Sequence, residues 1–390
     1  LHGEDVTFCG VSTDTRSLMP GQLFVALHGP NFDGNAFVTQ AAASKAAGAV
    51  VDRPIDTDLP LIVVDDTKKA LGQLAAGWRQ QMAATVIGIT GSNGKTTLKE
   101  LLASCLAISA ETLATQGNLN NEIGMPLMLL RMSRNHRYAV IEMGANHHGE
   151  IGYLRSLASP SIVAITNAAP AHLEGFGSVE GVAKAKGEIL TGEPPPDCAI
   201  LNADDDYFEY WKSICSASPI ISFGLSAEAD FRASQIESST EASNFMLHTP
   251  DRQFDVHLSL AGRHNVLNAC AAAAIASAVG MGPGQIRQGL EAVLPVGGRL
   301  QHVTSASGAV LYDDSYNANP VSVQAAAEFL AAQDGNSWLV LGDMAELGGD
   351  AELVHAHTGW VIREAGIDHL VATGPLSRKT VESFGENGQW

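Results

Sequence analysis

Gly91, Gly94, Lys95 and Thr96 lie in the stretch VIGITGSNGKTTLKELL, residues 86–102, and have the types and spacing of a phosphate loop. An apolar run precedes them and a helical run follows, so the loop joins a strand to a helix N-terminus. Successive backbone N–H groups in such a loop curl around phosphate, and the helix end faces it. Lys95 would neutralise the outer phosphates and the Thr96 hydroxyl would bind magnesium. The usual loop carries another Gly five positions before the Gly of Gly-Lys-Thr, and Ile89 stands there instead. The residues from Gly91 to Thr96 suffice for the cradle, so ATP or GTP binding is expected.

Other polar residues sit where such a nucleotide could meet them. Ligands of open α/β sheets bind beyond the carboxyl ends of the strands. Glu142 follows YAVI, Asn167 follows SIVAIT, and His172 comes later in the same loop. If these strands flank the phosphate strand, Glu142 and His172 can reach a metal at the nucleotide, and an oxygen-rich site suits Mg2+. Histidine is a less usual Mg2+ ligand, so His172 reads equally as a hydrogen-bonding loop residue. Glu142 has a second reading as a helix-capping acid ahead of HHGEIGYL. Lys184 and Lys186 share a helical stretch, EGVAKAKGEIL, and local spacing does not separate them from solvated lysines. Asp313, Asp314 and Asn317 follow AVLY, Asp343 follows WLVLG, and Arg299 lies in the Gly- and Pro-rich stretch LPVGGRLQ.

The elements that must hold these residues fall into three parts. Residues 1–82 contain short apolar runs between turns, with AAASKAAGAVVD read as a helix ending at Gly48 that feeds a strand. TKKALGQLAAGWRQQM is an amphipathic helix leading out of this small α/β domain. Residues 83–295 alternate strands with helices near 96–108 and 179–190, the pattern of a mainly parallel sheet. Alternation and polar turns between 216 and 260 predict antiparallel hairpins. Residues 296–390 read as a third, Rossmann-like α/β domain.

The 390-residue chain carries a net charge of −19, which argues against a nucleic-acid surface. The longest apolar run, ACAAAAIASAVG, is too short to span a bilayer. The five cysteines form no CxxC or paired pattern, which fits reduced thiols in a cytoplasmic protein.

Taken together, STDTRSLMPGQLFVALHG, GITGSNGKTTLKE, GNLNNEIGMPLMLL, IEMGANHHGEI, AHLEGFGSVEGVAKAKGEI, GRHNVLNA, GGRLQ, DDSYNANP and LGDMAELG give the chain a close resemblance to the Mur ligases. The strings GNLNNEIG, HLEGFGS and DDSYNANP resemble the branch that joins D-alanyl-D-alanine to UDP-N-acetylmuramoyl-tripeptide. The resemblance implies an N-terminal domain for the UDP end, a central ATP-binding domain and a C-terminal Rossmann-like domain. It implies ATP and Mg2+ as cofactors and a monomeric ligase with no nucleic-acid partner and no membrane insertion. Its phosphate loop is the shorter GxxGK[ST] form, so Gly91, Ser92, Asn93, Gly94, Lys95, Thr96 and Thr97 are expected on ATP. Glu142 and His172 correspond to magnesium ligands alongside Thr96. Lys186, not Lys184, falls where the family carries a carbamylated lysine, which would hold a second Mg2+. Lys95, His172 and Lys186 form the implied catalytic set. Asn268 resembles an adenine-side residue, and Arg299 and Asp314 resemble residues closing on ATP. Ser12, Thr13 and the surroundings of Asp33 resemble the uridine-nucleotide region, where Asn35 departs from a common His. Family members begin earlier and continue past VESFGENGQW, so an incomplete third domain is expected. A ligase adding a diamino acid to the dipeptide precursor, and an ATP-binding remnant without ligase activity, are the alternatives.

Overall fold

β-Branched runs become strands where apolar layers await both of their faces, and the central sheet follows that rule. In a computed structural model, which describes residues 5–305 and 308–390, nine strands line up in one sheet. Their order is Gln253–Leu258, Ser243–His248, Phe231–Ser238, Ile220–Gly224, Cys198–Asn202, Ile162–Ile165, Thr85–Thr90, Tyr138–Glu142 and Thr112–Ala114. The strands from Thr112–Ala114 to Phe231–Ser238 pair in parallel, and the last two add an antiparallel hairpin. This matches the expected mainly parallel sheet with hairpins beyond residue 216.

Alternate residues of each strand feed opposite layers. Ile87, Ile89, Val140, Ala164 and Ile200 pack with helices Lys95–Ala107 and Arg263–Ala278. Val86, Ile141, Val163 and Leu201 pack with Leu154, Val182 and Trp211 on the other face. The strand Thr85–Thr90 lies between Ile162–Ile165 and Tyr138–Glu142, with Ile89 opposite Glu142 and Thr90 opposite Ile165. Strand order reverses there, because the chain leaves Thr90 toward one edge and Ile165 toward the other. Such a reversal opens a crevice at the carboxyl ends.

The N-terminal body holds a four-stranded parallel sheet, ordered Val11–Ser12, Leu23–Val25, Gly48–Val51 and Leu61–Val63. Its helix is Val38–Ala43, shorter than expected. Lys45 takes a left-handed φ of 62°, and the Ala46 N–H returns to the Ala41 carbonyl, so the helix stops before Gly48. Helix Thr67–Gln80 then joins this body to the central one. Leu71 packs into the first and Ala75 into the second. The Thr67 hydroxyl donates to the Ala26 carbonyl at 2.8 Å, and Trp78 Nε1 donates to the Met132 carbonyl at 2.9 Å.

The C-terminal body is α/β, as expected, and among the described residues its strands fall into two sheets. Trp338–Leu341, His369–Ala372 and Gly388–Gln389 form a three-stranded parallel sheet. Val310–Asp313, from the run GAVLYDD, pairs antiparallel with Gln301–Thr304 in a separate ribbon. Antiparallel neighbours need only a short connection, whereas parallel ones need a crossover. Helices Pro320–Ala331, Ala351–Glu364 and Ser377–Phe384 complete the body. Among the described residues no helix is long and apolar enough to cross a membrane.

Candidate nucleotide and ligase site

The phosphate loop needs its glycines for two separate reasons. Gly91 has φ 142° and Gly94 has φ 80°, the region that side chains rarely enter. A Cβ on Gly91 would lie 1.9 Å from Thr166 Oγ1, and one on Gly94 would lie 2.5 Å from Asn268 Oδ1. Ile89 is fully buried in the sheet core, so the position of the absent glycine is simply strand. The loop is braced by the end of the next strand. Asn167 Oδ1 accepts the Asn93 N–H at 3.0 Å, and the Asn167 carbonyl accepts the Ser92 N–H at 3.0 Å. The Ser92 hydroxyl donates to the Ala169 carbonyl at 3.1 Å, so its side chain serves the loop's shape. Lys95 Nζ folds over the loop and donates to the Gly91 and Ser92 carbonyls at 2.7 and 3.0 Å. Burial lowers its pKa, Glu142 opposes that shift and Arg299 adds to it.

Glu142 is not a cap for a following helix. Its side chain is 2% exposed and turns into the crevice, where Oε2 accepts the Thr96 hydroxyl at 2.9 Å. Oε1 accepts Asn120 Nδ2 at 2.8 Å, and the Glu142 N–H donates to Thr115 Oγ1 at 2.9 Å. These bonds fix the carboxylate beside the first turn of helix Lys95–Ala107.

The two lysines separate sharply. Lys184 is paired with Glu180 at 2.6 Å on the solvent side. Lys186 is 1% exposed and lines the crevice, its ammonium 5.3 Å from the Phe176 ring centre. Burial, and then the charge of Lys95, pushes its pKa down to about 7. His172 lines the same crevice with a left-handed φ of 54°, and its Nδ1 contacts Oε2 of Glu346 in the C-terminal body.

The joint and the C-terminal body reach the loop. Arg299 Nη2 donates to Thr96 Oγ1 at 3.0 Å, with its guanidinium 4.2 Å over the Tyr316 ring. Asp314 Oδ1 accepts the Leu300 N–H at 3.1 Å, and burial raises its pKa. Asn319 Nδ2 donates to Asn93 Oδ1 at 2.6 Å while Asn319 Oδ1 caps the next helix at Ser322 N. The result is one cavity of about 750 Å³, lined by the loop with Thr97, by Glu142, His172, Lys186 and Asn268, and by Arg299, Asp314 and Asn317.

Some candidates stand elsewhere. Asp343 binds Ser377 through its N–H and hydroxyl, both at 2.7 Å, inside the C-terminal body. Asp313 accepts the Ser315 N–H at 3.0 Å in its own turn. Ser12 and Asp33 belong to the N-terminal body, where Asp33 pairs with Arg53 and accepts the buried Asn35 amide at 2.8 Å. Asn120, Asn319 and Glu346 were not foreseen individually. Asn319 carried one local signal, an Asn directly before a helix-opening Pro.

The Mur ligase middle domain model matches residues 89–276, and the model of the Mur ligase glutamate ligase domain matches residues 298–388. The protein is thus a Mur ligase, an ATP-dependent ligase with a three-domain α/β fold. The UDP-N-acetylmuramoyl-tripeptide–D-alanyl-D-alanine ligase of Escherichia coli (strain K12) is 46% identical over 99% of this chain and 86% of its own length. The chain belongs to that family. A crystal structure of MurF from Acinetobacter baumannii superposes with TM-score 0.92 at 41% identity, covering 97% of this chain and 83% of that one. MurF of Thermotoga maritima, solved in complex with ADP, superposes with TM-score 0.85 at 26% identity, covering 95% of this chain and 86% of that one.

Proposed function

We propose that this chain joins D-alanyl-D-alanine to UDP-N-acetylmuramoyl-tripeptide, consuming ATP and releasing ADP and phosphate. The observation that carries the reading is the single cavity in which phosphate-loop, strand-end and C-terminal residues meet. The terminal carboxylate of the tripeptide attacks the γ-phosphate, giving an acyl phosphate and ADP. The amine of D-alanyl-D-alanine attacks that carbonyl, loses a proton, and phosphate leaves with the bonding pair. Carboxylate and triphosphate are both anionic, so Lys95 and Arg299 offset the charge that crowds between them. Closure over the cavity keeps water from the acyl phosphate.

Thr96, Glu142 and His172 would hold Mg2+, with Gly91 to Thr97 and Asn268 on the nucleotide. Thr96 and Glu142 already share one point at 2.9 Å. Among the described residues no group of three or more His, Cys, Asp and Glu side chains is placed for a metal, so in this reading Thr96 and a modified Lys186 would complete the set. A lysine with pKa about 7 is partly neutral at physiological pH. Its amine can add to CO2, releasing a proton and leaving a carbamate anion, which suits a second cation. Bound there, Mg2+ would offset phosphate charge and polarise the transferring group.

The five unpaired cysteines support a reducing, cytoplasmic setting. The four-, nine- and three-stranded sheets fall in turn within 1–82, 83–295 and 296–390, which supports those domain limits. The test is a coupled assay with both substrates and ATP. Product and phosphate release must depend on D-alanyl-D-alanine, and release without it would sink the assignment of the amine acceptor. Undiminished activity in Lys186→Ala would remove the carbamate.

A further inference from the structure

Two residues in unusual backbone conformations face each other across the junction of the central and C-terminal bodies. His172 has φ 54° and Glu346 has φ 61°, and neither is glycine. Such residues persist only where their surroundings over-determine them, and they cluster at functional sites. Their side chains meet through His172 Nδ1 and Glu346 Oε2. A backbone bond reinforces the meeting, since the Glu174 N–H donates to the Glu346 carbonyl at 3.2 Å. The Phe176 ring stands edge-on to the imidazole with centres 6.5 Å apart, so the ring is held on a second side.

An ionised carboxylate only accepts hydrogen bonds, so Nδ1 must carry the imidazole proton in this pair. In the neutral ring that leaves Nε2 with a lone pair. Among the described residues Nε2 has no hydrogen-bond partner, and His172 lines the nucleotide cavity. We propose that Glu346 is a positioning residue of the ligase reaction: the C-terminal domain brings its carboxylate to His172 Nδ1 and so presents Nε2 to the nucleotide side of the cavity. Carboxylates that orient a ligating histidine act in this way elsewhere. Here the orienting group comes from a different domain than the histidine. The ring is therefore set only when the C-terminal body is down on the cavity, which ties readiness of the site to closure. The proposal rests on the reading of His172 as a metal-side residue.

The test uses the whole chain with substitutions Glu346→Ala, Glu346→Gln, His172→Gln and the double variant Glu346→Ala/His172→Gln. The first readout is 15N NMR of histidine-labelled protein, with the His172 signal assigned by its loss in His172→Gln. The expected wild-type state is the Nδ1–H tautomer. Glu346→Gln keeps it, because the amide oxygen still accepts, and Glu346→Ala shifts the ring toward mixed tautomers. The second readout is Mn2+ affinity by EPR in the presence of ADP, expected to fall about 10- to 100-fold in Glu346→Ala and to recover most of the way in Glu346→Gln. The third is a double-mutant comparison of kcat, in which Glu346→Ala adds no loss once His172 is gone. An unchanged tautomer in Glu346→Ala, or an equal loss of kcat in both backgrounds, overturns the proposal. Normal activity in His172→Gln would defeat the metal-side reading by itself, and the tautomer measurement would still decide whether Glu346 sets the ring.

Discussion

Replacing Gly94 by Ala separates the two reasons the loop needs glycine. The backbone at Gly94 has φ 80° and ψ −10°, and this left-handed region costs an L-residue about 1–2 kcal/mol. The new Cβ would also stand 2.5 Å from Asn268 Oδ1 and 3.1 Å from Nδ2. Asn268 is 6% exposed on a helix buried along most of its length, so its amide leaves the loop only by taking a poorer rotamer, at about 1 kcal/mol. Together these predict a loss of about 2–3 kcal/mol in Gly94→Ala. Asn268→Ala removes the atoms that clash but leaves the backbone cost. The double variant should therefore lose about 1 kcal/mol less than the sum of the singles. The assay is urea unfolding of the four proteins, read by far-ultraviolet circular dichroism, with ADP affinity by calorimetry. Additive losses would show that the amide yields freely, and the contact argument would be wrong. Full stability in Gly94→Ala would refute the backbone argument too.

Two further predictions concern single side chains. Lys186→Met should stabilise the chain in CO2-free buffer at pH 6: the folded pKa of about 7 lies below the ordinary 10.5, so the unfolded chain holds this proton more tightly. Wild-type stability should then rise with pH from about 7 to 10.5, and the gap to Lys186→Met should close over that window in urea titrations, with bicarbonate stabilising only the wild type. Asn319→Ala should lose both the helix cap and the Asn93 contact, at about 1–2 kcal/mol for the cap. Asn319→Asp should keep the cap but face Asn93 Oδ1 with an acceptor, so thermal unfolding should change little while KM for ATP rises.

The sequence revealed most about groups whose position follows from one strand or one turn. Glu142 was legible because a strand ends there and its neighbour could be named. Gly91 and Gly94 were legible because a phosphate loop dictates their backbone. Lys184 and Lys186 show the limit of local reading. At 3.6 residues per turn they point to different sides of the helix, but nothing local says whether either faces inward. Resemblance to a family chose Lys186, and its 1% exposure shows the physical difference. Asn319 was legible as a cap, yet its second amide contact lies 226 residues away in the chain. Glu346 lies in the resemblance string LGDMAELG, but its role was not legible because its partner belongs to another domain. The C-terminal ribbon was missed for a related reason. A short apolar run looks the same whether it joins a parallel sheet or folds back on its predecessor.

The two junctions between bodies are built differently, and the difference bears on catalysis. The N-terminal junction is apolar and shares one helix, with Leu71 and Ala75 in separate cores and Thr67 and Trp78 bonded to each side. The C-terminal junction encloses the cavity and is crossed by polar contacts, from Arg299 to Thr96, Asn319 to Asn93 and Glu346 to His172. Polar interfaces of this kind let domains move, whereas large hydrophobic ones hold them. By that contrast the C-terminal body is the part expected to open to admit ATP and the amine. The Arg299 and Asn319 contacts land on the phosphate loop, and the Glu346 contact lands on His172 at the cavity wall. Closing that body would bring Arg299 onto the loop beside Lys95 and seal the cavity in one motion, so the proposed acyl phosphate would form only where water has been excluded and an amine can reach it.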